Sequence, residues 1–456
     1  MKAPFFSVIQ LLRPLLNRVR YIYELIYRPF DLAQSATSAP GNISIFSDRG
    51  RSYALIGSPD VLKLLTNHAQ WNLQRHKTYF DEELSPAQEL IPGFLQLSDG
   101  RFHRTLRTLG SAQYTPSKLL DYTRLLFTNY TESLAAIHTA RVSNLRVFIQ
   151  KIVYKTVCAD TFGICLDSQQ IKYLVKGRRI SSAAQQFYKV LGSPVTSWLS
   201  PLARSYRDLY RKNNKMLSDL LIGSRGCPVS SSFFASIDTF NGNEGTNPLG
   251  DKQLLDELHG YLAASESVPI TVEFVLYILL LCPGLLEKVR DEASLVFLQG
   301  QNCTPNVNDL TFTRSVVLET LRLYPPFPFI ERDVCEQLIL NDHCIAPRTK
   351  LIISIYSIHR NEEFHESAHD FLPERWSNNS WGRDPDLRFL PFGFGHTKCI
   401  AWEQSLISIS LLVARITLDF DVKLSVSLPD ANPSNIPIVF EGVNIRPKHP
   451  LLLYLR

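Results

Sequence analysis

A loop near the carboxyl end of this 456-residue chain constrains the fold more than any other segment. It runs from Phe392 to Ala401, contains Gly393, Gly395 and Cys399, and leads into an apolar helical segment. Glycines at these places let the backbone take positive φ angles and approach a flat ligand closely. Phe392 can keep water from the sulfur. The pattern indicates a metal-bound thiolate, and a buried, inert cysteine is the alternative.

The loop resembles the haem-binding signature of the cytochrome P450 family, Phe-x-x-Gly-x-x-x-Cys-x-Gly, with Ala401 in place of the last glycine. The resemblance implies that Cys399 is the axial ligand of a haem b iron and that Phe392 and Gly395 bind the cofactor. An axial thiolate pushes electron density onto the iron and favours cleavage of the O–O bond. Thr397 stands where the family commonly has Arg or His, so a propionate contact at this position is not assigned.

The resemblance extends from about residue 40 to the end of the chain. It implies a mainly α fold with small β-sheets, in which the haem lies between a long central helix and the helix that follows the cysteine loop. It also divides the chain into an N-terminal segment, residues 1–35, and a haem domain, residues 36–456.

Two stretches outside the motifs carry local predictions. A run of turn formers over 223–250 predicts an exposed connection into the central helix. Apolar runs at 334–340 and 351–355, with a turn at 341–343, predict strands of one small sheet. The remainder of the chain has mostly helical periodicity.

Residues 254–292 match the family's long central helix without a gap. At 263–267 the chain reads Ala-Ala-Ser-Glu-Ser, where the family has Ala-Gly-x-Asp/Glu-Thr. The resemblance implies that this stretch bulges over the haem and that Glu266 and Ser267 are the catalytic acid and alcohol, which deliver protons during dioxygen activation. Ala264 narrows the groove, whereas serine keeps a hydroxyl donor and acceptor. Ordinary polar positions on a core helix are the alternative.

Glu319 and Arg322 lie on one face of a helical pattern that ends before Pro325, because residues three apart are neighbours on a helix surface. A solvated pair worth a few tenths of a kcal/mol is the alternative. The segment 373–376 resembles the family's Pro-Glu-Arg segment. The resemblance implies that Arg375 joins the pair in a buried structural network that holds the cysteine loop. Loss of one partner would then cost about 3–5 kcal/mol.

Three basic residues match positions that bind the haem propionates in the family. His103 and Arg107 have the i, i+4 spacing of one helix face, and Arg332 follows a proline-rich stretch. A planar guanidinium suits a carboxylate bidentately. A solvated surface charge is the alternative for each.

Composition excludes several other classes of site. The eight cysteines form no CxxC pair and no metal-site spacing, which disfavours a disulfide framework or a zinc site and favours a reducing compartment. A net charge of +5 without a basic run between aromatics gives no sign of nucleic-acid binding.

The amino-terminal segment places four arginines among apolar residues, and its longest charge-free run, 3–12, is too short to span a membrane. A basic amphipathic helix on a membrane surface and one packed on its own protein are equal alternatives. The predicted location is the cytosolic surface of the endoplasmic reticulum membrane in a eukaryote, or the cytoplasm in a bacterium.

Taken with the resemblance, these residues predict a monooxygenase that inserts one atom of O2 into an apolar substrate of terpenoid, polyketide, fatty acid or steroid type, in secondary metabolism. The haem performs the difficult chemical step and the protein supplies ligand, proton path and dry pocket. The chain shows no flavin or iron–sulfur motif, so electrons from NAD(P)H would come through a separate cytochrome P450 reductase or ferredoxin. The alternatives are an O2-independent isomerase, dehydratase or peroxygenase, and a non-catalytic haem-binding protein.

Overall fold

The computed structural model of the chain describes most of the predicted haem domain. The described residues are 43–48, 51–58, 73–75, 100–137, 141–142, 144–177, 201–224, 251–299, 305–340, 343–377, 387–427, 430–441 and 444–456. The N-terminal segment 1–35 and most of the 223–250 connection lie outside them.

Helices dominate the described residues, as the resemblance implied. The helices are α1 (Gly100–Ser111), α2 (Pro116–Ala135), α3 (Leu145–Phe162), α4 (Pro201–Ser224), α5 (Asp251–Ala264), α6 (Ser267–Leu281), α7 (Pro283–Gln299), α8 (Thr311–Leu323), α9 (Ile355–His359) and α10 (Trp402–Asp419).

The strands form small sheets. They are β1 (Ile43–Asp48), β2 (Arg51–Ile56), β3 (Leu73–Arg75), β4 (Arg141–Val142), β5 (Phe329–Val334), β6 (Leu338–Leu340), β7 (His343–Ile345), β8 (Lys350–Ser354), β9 (Phe420–Leu424), β10 (Ile438–Glu441), β11 (Asn444–Pro447) and β12 (Leu451–Leu455). The largest has the order β1-β2-β8-β5-β3, with β2 and β8 parallel and the other pairs antiparallel. The smaller sheets are β4-β12-β9, β10-β11 and β6-β7.

The prediction of one sheet over residues 334–355 was wrong in its pairing. Val334 ends β5, and the hairpin of β6 and β7 begins only at Leu338. The run at 351–355 lies mainly in β8, which pairs with β2 and β5 in the five-stranded sheet. Ile355 already begins α9, where the Ser354 side chain caps the helix by accepting from a backbone N–H.

The core is built around α6. Every residue from Val268 to Leu279 in this helix is buried, and the helix packs on α3, α8 and α10. A helix that is apolar on all sides is stable only when neighbours cover it completely. This burial fixes α6 against α3, and the position of α3 determines part of the site described below.

The ends of α3 are set by local sequence. Asn144 caps its start by accepting from the N–H of Val147 at 3.0 Å, and Gly163 ends it with φ +65° in the left-handed conformation. Between these caps most side chains are buried, including Gln150 and Tyr154. The helix therefore carries polar groups into the interior.

Within the described ranges, residues 253–281 are long and apolar enough to cross a membrane by length and composition alone. They make up α5 and α6, and 72% of their most apolar 18-residue window is buried inside the protein. Burial of this extent is typical of a helix in the protein core.

Candidate active site

The cysteine loop is closed by its own backbone. The N–H of Cys399 donates to the carbonyl of Phe392 at 2.7 Å. Gly393 and Gly395 have φ angles of +72° and +60°, in the region that side chains disfavour. A Cβ at Gly393 would come no closer than 3.8 Å to Ile330. The backbone angle, rather than lack of space, therefore requires glycine.

Burial of Cys399 raises the pKa of its thiol overall, but several of its neighbours stabilise the thiolate. The cysteine is free and half-buried. Burial raises the pKa of its thiol, while the backbone N–H of Ala401 and the cations Arg107 and Lys398 lower that pKa. The helix α10 begins at Trp402, so the sulfur stands at a helix N-terminus, which also favours negative charge. The thiolate is the form that binds metals.

Three basic side chains from other elements converge on the loop. Arg332 of β5 donates from Nη2 to the hydroxyl of Thr397 at 2.8 Å. Arg107 of α1 donates from Nη1 to the carbonyl of the residue after Thr397 at 2.7 Å. One turn before Arg107, the buried ring of His103 lies 6.0 Å from that of His396, edge to face. The structure thus brings all three predicted propionate-binding residues to one loop.

Glu319 lies at the centre of a buried polar network beneath this region. Arg322 donates to its carboxylate from Nε at 3.0 Å and from Nη2 at 2.8 Å. Arg375 Nε donates at 3.2 Å, Trp376 Nε1 at 2.9 Å and the N–H of Leu372 at 2.9 Å. Glu319 and Arg322 are completely buried. The predicted network of Glu319, Arg322 and Arg375 is therefore assembled in the interior.

Arg322 uses all of its N–H groups. Besides Glu319, it donates to the carbonyls of His359, Ala368 and Asp370 at 2.6–2.8 Å. A guanidinium offers five donors in a rigid fork, and each has an acceptor here. The network consequently fixes two backbone stretches, at residue 359 and at residues 368–370, around one helix turn.

His359 joins this network to the start of the cysteine loop. Its Nδ1 lies 3.0 Å from the carbonyl of Arg322, and the N–H of Leu390 donates to its Nε2 at 2.7 Å. A carbonyl only accepts and an N–H only donates, so the ring is neutral with its proton on Nδ1. Burial lowers the pKa of His359 well below its usual value, with His365 adding to the effect. A neutral histidine thus sets the position of the chain two residues before Phe392.

The central helix is broken where the resemblance implied a bulge. The α5 helix ends at Ala264 and α6 begins at Ser267. Pro269 has no N–H to donate to the carbonyl of Ser265, so that regular helical bond is lost. The N–H of Val268 donates to Ser265 instead, at 3.2 Å. The proline explains why the break lies at residues 265–266.

Glu266 turns toward α3. Its carboxylate accepts from the hydroxyl of Tyr154 and, at 2.7 Å, from Nε2 of Gln150. Burial raises the pKa of Glu266 to about 7, against the lowering effect of the Gln150 hydrogen bond. The Ser267 hydroxyl instead donates to the carbonyl of Ala264 at 3.0 Å. The predicted acid and alcohol are neighbours on the chain but have separate partners.

Two further carboxylates are bound by an arginine on the same face of α3. Arg146, four residues before Gln150, donates from Nε to Glu273 at 2.9 Å and from Nη1 to Glu441 at 2.9 Å. Arg446 pairs with Glu441 at 2.5 Å. These two cations and two carboxylates carry no net charge, and of them Arg146 and Glu441 act on the pKa of Glu266.

The comparison with known families agrees with this geometry. The chain matches the family described as "Cytochrome P450" over residues 27–449. This chain belongs to the cytochrome P450 family.

Among its curated relatives, this cytochrome P450 is similar to a germacrene A hydroxylase of Lactuca sativa, 34% identical over 166 residues, which are 36% of this chain and 34% of the relative. Cytochrome P450 71D18 of Mentha gracilis is 32% identical over 177 residues, 38% of this chain and 35% of the relative. A probable cytochrome P450 6d4 of Drosophila melanogaster is 31% identical over 193 residues, 41% and 36% of the two chains. The chain thus covers about a third of the length of these relatives.

The cytochrome P450 family implies a haem cofactor, and the residues present fit one. The sulfur of Cys399 has one backbone N–H and two cations near it, and apart from Gly395 and its two chain neighbours no described residue lies within 4 Å of the place where a Cβ of Gly395 would stand. The loop therefore leaves room for a flat ligand. Cys399 would be the iron ligand, and His103, Arg107 and Arg332 would hold the carboxylates of the haem. These roles stay predictions.

Sequence reasoning missed several polar groups of this cytochrome P450. His359 and Trp376 complete the network beneath the loop, and Tyr154 and Gln150 hold Glu266. A signal for the latter pair existed, because Arg146, Gln150 and Tyr154 recur every fourth residue and so share one face of the helix. No pattern in the sequence connected His359 with the loop.

Proposed function

We propose that this cytochrome P450 is a haem-thiolate monooxygenase that hydroxylates or epoxidises an apolar organic substrate with one atom of O2. The observation that carries the proposal is the position of Cys399 at the start of α10, with the Ala401 N–H on its sulfur and Arg107 beside it. Haem bound there would supply the activation of O2. The chain's own residues then hold the ligand, orient the substrate and supply the path for protons.

The proposed substrate is a terpenoid hydrocarbon. Relatives named germacrene A hydroxylase support this class. Regions expected to contact substrate include 325–332 and 435–443, and Phe327 and Phe329 in the first are half-buried apolar groups. The N–H of Ile445 in β11 donates to the carbonyl of Pro326 at 3.0 Å, which joins the first region to the β10–β11 hairpin. By analogy with the family, residues 71–98, 181–210 and 262–268 would also contact substrate, and the first two of these ranges lie mostly outside the described residues.

We also propose that electrons reach this protein from a separate NAD(P)H-dependent reductase or a ferredoxin. The proposed location is a membrane surface, facing the cytosol, of the endoplasmic reticulum. Relatives from plants and an insect support a eukaryotic setting. The basic amphipathic pattern of residues 1–35 supports peripheral membrane contact.

A second candidate is a peroxygenase, isomerase or dehydratase that uses the same haem without activating O2. The hydrogen bonds at the helix break favour this candidate. Ser267 donates to the helix carbonyl of Ala264, and Glu266 is bound to α3. An acid and an alcohol with separate partners form a less direct proton path than a paired acid and alcohol.

The first experiment tests the thiolate. The haem-loaded full chain is reduced under carbon monoxide, beside Cys399→Ser and the exposed control Cys165→Ser prepared in the same way. We expect a red-shifted Soret band in the wild type and in Cys165→Ser, and its loss in Cys399→Ser. Haem uptake without that band in the wild type would contradict a haem-thiolate enzyme.

The second experiment separates the candidate reactions. The full chain is supplied with a plant or microsomal reductase, NADPH, isotopically labelled O2 and a panel of sesquiterpene hydrocarbons. One labelled oxygen atom in the product is expected for a monooxygenase. A product that lacks the label, or that forms with hydrogen peroxide alone, would favour the second candidate.

A further inference from the structure

The carboxyl of Glu266 accepts hydrogen bonds from two neutral side chains. Tyr154 and Gln150 both come from α3, and both are buried, with 0% and 3% of their surface exposed. Their hydroxyl and amide groups reach the two different oxygens of the carboxyl. Two interior side chains of another helix thus hold one acid at the break of the central helix.

Neutral partners of this kind serve both forms of an acid. A tyrosine hydroxyl can donate to a carboxylate or accept from a protonated carboxyl, and Nε2 of Gln150 can donate to the carboxylate or, more weakly, to the C=O oxygen of the protonated acid. An arginine is a cation, so it would strongly favour the ionised form. Glu266 can therefore gain or lose a proton without losing its hydrogen bonds to α3.

The charged groups near Glu266 have opposing effects on its pKa. Arg146 on α3 lowers the pKa of Glu266 and Glu441 on β10 raises it. Arg146 is itself paired with Glu273 of α6, and Glu441 is paired with Arg446 of β11. Because these charges offset one another, the neutral donors and the degree of burial decide the proton affinity of Glu266.

We propose that Tyr154 and Gln150 are positioning residues of the proton path: they hold the Glu266 carboxyl against α3 through neutral donors, so the acid exchanges its proton in place. This inference rests on the proposed function for its role in catalysis. It adds two residues of α3 to the site, which lie outside every motif of the sequence.

The test measures the protonation of Glu266 directly. Infrared difference spectra of the haem-loaded full chain are recorded against pH, and the carboxylic acid C=O band that disappears in Glu266→Gln is followed. Removing a hydrogen bond to the charged form raises an acid's pKa. We therefore expect the midpoint of this band to rise by about one pH unit in Tyr154→Phe and in Gln150→Leu.

Tyr122→Phe is the matched control. Tyr122 is also a buried tyrosine, but its hydroxyl bonds to Ser408 at 2.8 Å, so the midpoint in this variant should equal that of the wild type. An unchanged midpoint in both Tyr154→Phe and Gln150→Leu would overturn the proposal. The use of two variants keeps the test valid if one of them fails to fold.

The measurement needs no turnover. Absence of product with any substrate would count against the proposed function and leave the titration result standing. Conversely, if the enzyme is an active monooxygenase but the midpoint of the Glu266 band is unchanged in both variants, the proposed function stands and this inference is wrong.

Discussion

Two glutamates in this protein, the buried Glu319 and the half-buried Glu266, are held by different kinds of partner. Glu319 accepts, within the described residues, from two arginines, a tryptophan and a backbone N–H. Glu266 accepts from a tyrosine and a glutamine, both uncharged. Both carboxylates lie within residues 27–449, which match the family, yet within the described residues only the first accepts hydrogen bonds from cations.

These partners give the two glutamates different properties: Glu319 is held rigidly, whereas Glu266 can exchange a proton. Cationic donors bind a carboxylate about twice as strongly as neutral ones. Glu319 and its partners consequently hold the chain between His359 and Leu372 in one arrangement, which His359 connects to Leu390. Glu266 has a pKa of about 7, so its proton can move at neutral pH, as a general acid or base requires.

Arg322→Met tests the rigid site and should have the largest effect. The substitution leaves Glu319 buried with only Arg375 as counter-charge, and it leaves three carbonyls without their donor. We expect the free energy of unfolding to fall by about 3–5 kcal/mol, measured by denaturant unfolding of the full chain.

Arg124→Met is the control for this experiment. Arg124 pairs with Asp121 at the surface, where their side chains are 55% and 60% exposed. The loss there should stay within about 0.5 kcal/mol. Equal losses in the two variants would show that Glu319 is not held by its charge partners.

The neutral His359 makes the rigid site sensitive to acid. Its pKa is lower in the folded protein than in the unfolded chain, whose histidines titrate near pH 6.5. Below that pH the unfolded chain takes up the proton and the folded protein does not, so stability falls as the pH falls. Between pH 6.5 and 5 the wild type should lose about 2 kcal/mol from this residue, and His359→Gln should not.

Unfolding curves at several pH values check this expectation. The exposed His369→Gln serves as the control and should follow the wild type. If His359→Gln and the wild type lose stability in parallel between pH 6.5 and 5, then His359 is not the neutral group that the structure shows.

Glu266 should make the stability of the protein depend on pH in the opposite sense to His359, and Glu266→Gln tests this. The folded pKa of Glu266 is raised, so its contribution to stability is present below its unfolded pKa near 4.5 and is lost as the pH rises through about 7. The free energy of unfolding of the variant, relative to that of the wild type, should therefore rise by about 2 kcal/mol from pH 5 to pH 8.

Glu319→Gln provides the contrast to Glu266→Gln. It removes the counter-charge of Arg322 and Arg375, so the protein should be less stable at both pH values. At pH 8, a free energy of unfolding above that of the wild type for Glu319→Gln, or below it for Glu266→Gln, would contradict the distinction between the two glutamates.

Trp376→Phe should have the smallest effect. It removes one neutral donor from Glu319 but keeps a ring next to Phe389, 4.4 Å away between centroids. Since four other hydrogen bonds to Glu319 remain, the expected loss of unfolding free energy is about 1 kcal/mol. Trp376→Leu removes both donor and ring and should cost more. Similar losses in the two variants would assign the effect to the hydrogen bond alone.

The sequence predicted the features that depend on neighbouring residues. Gly393, Gly395 and Cys399 indicated the loop, because turn geometry and a ligand atom are properties of a short segment. The i, i+3 spacing of Glu319 and Arg322 and the i, i+4 spacing of His103 and Arg107 predicted which side chains share a helix face. Resemblance to the family supplied the mainly α fold, which the structure confirms.

Only the tertiary structure decided which distant groups meet. The hydrogen bond of His359 to the N–H of Leu390 spans 31 residues, and that of Gln150 to Glu266 spans 116. Such contacts follow from the packing of α3, α6 and the cysteine loop, and no local pattern encodes them. The sequence therefore determined which residues are candidates for the chemistry, while packing determined that Glu319 meets arginines and Glu266 meets neutral donors, since only the fold brings such distant groups together.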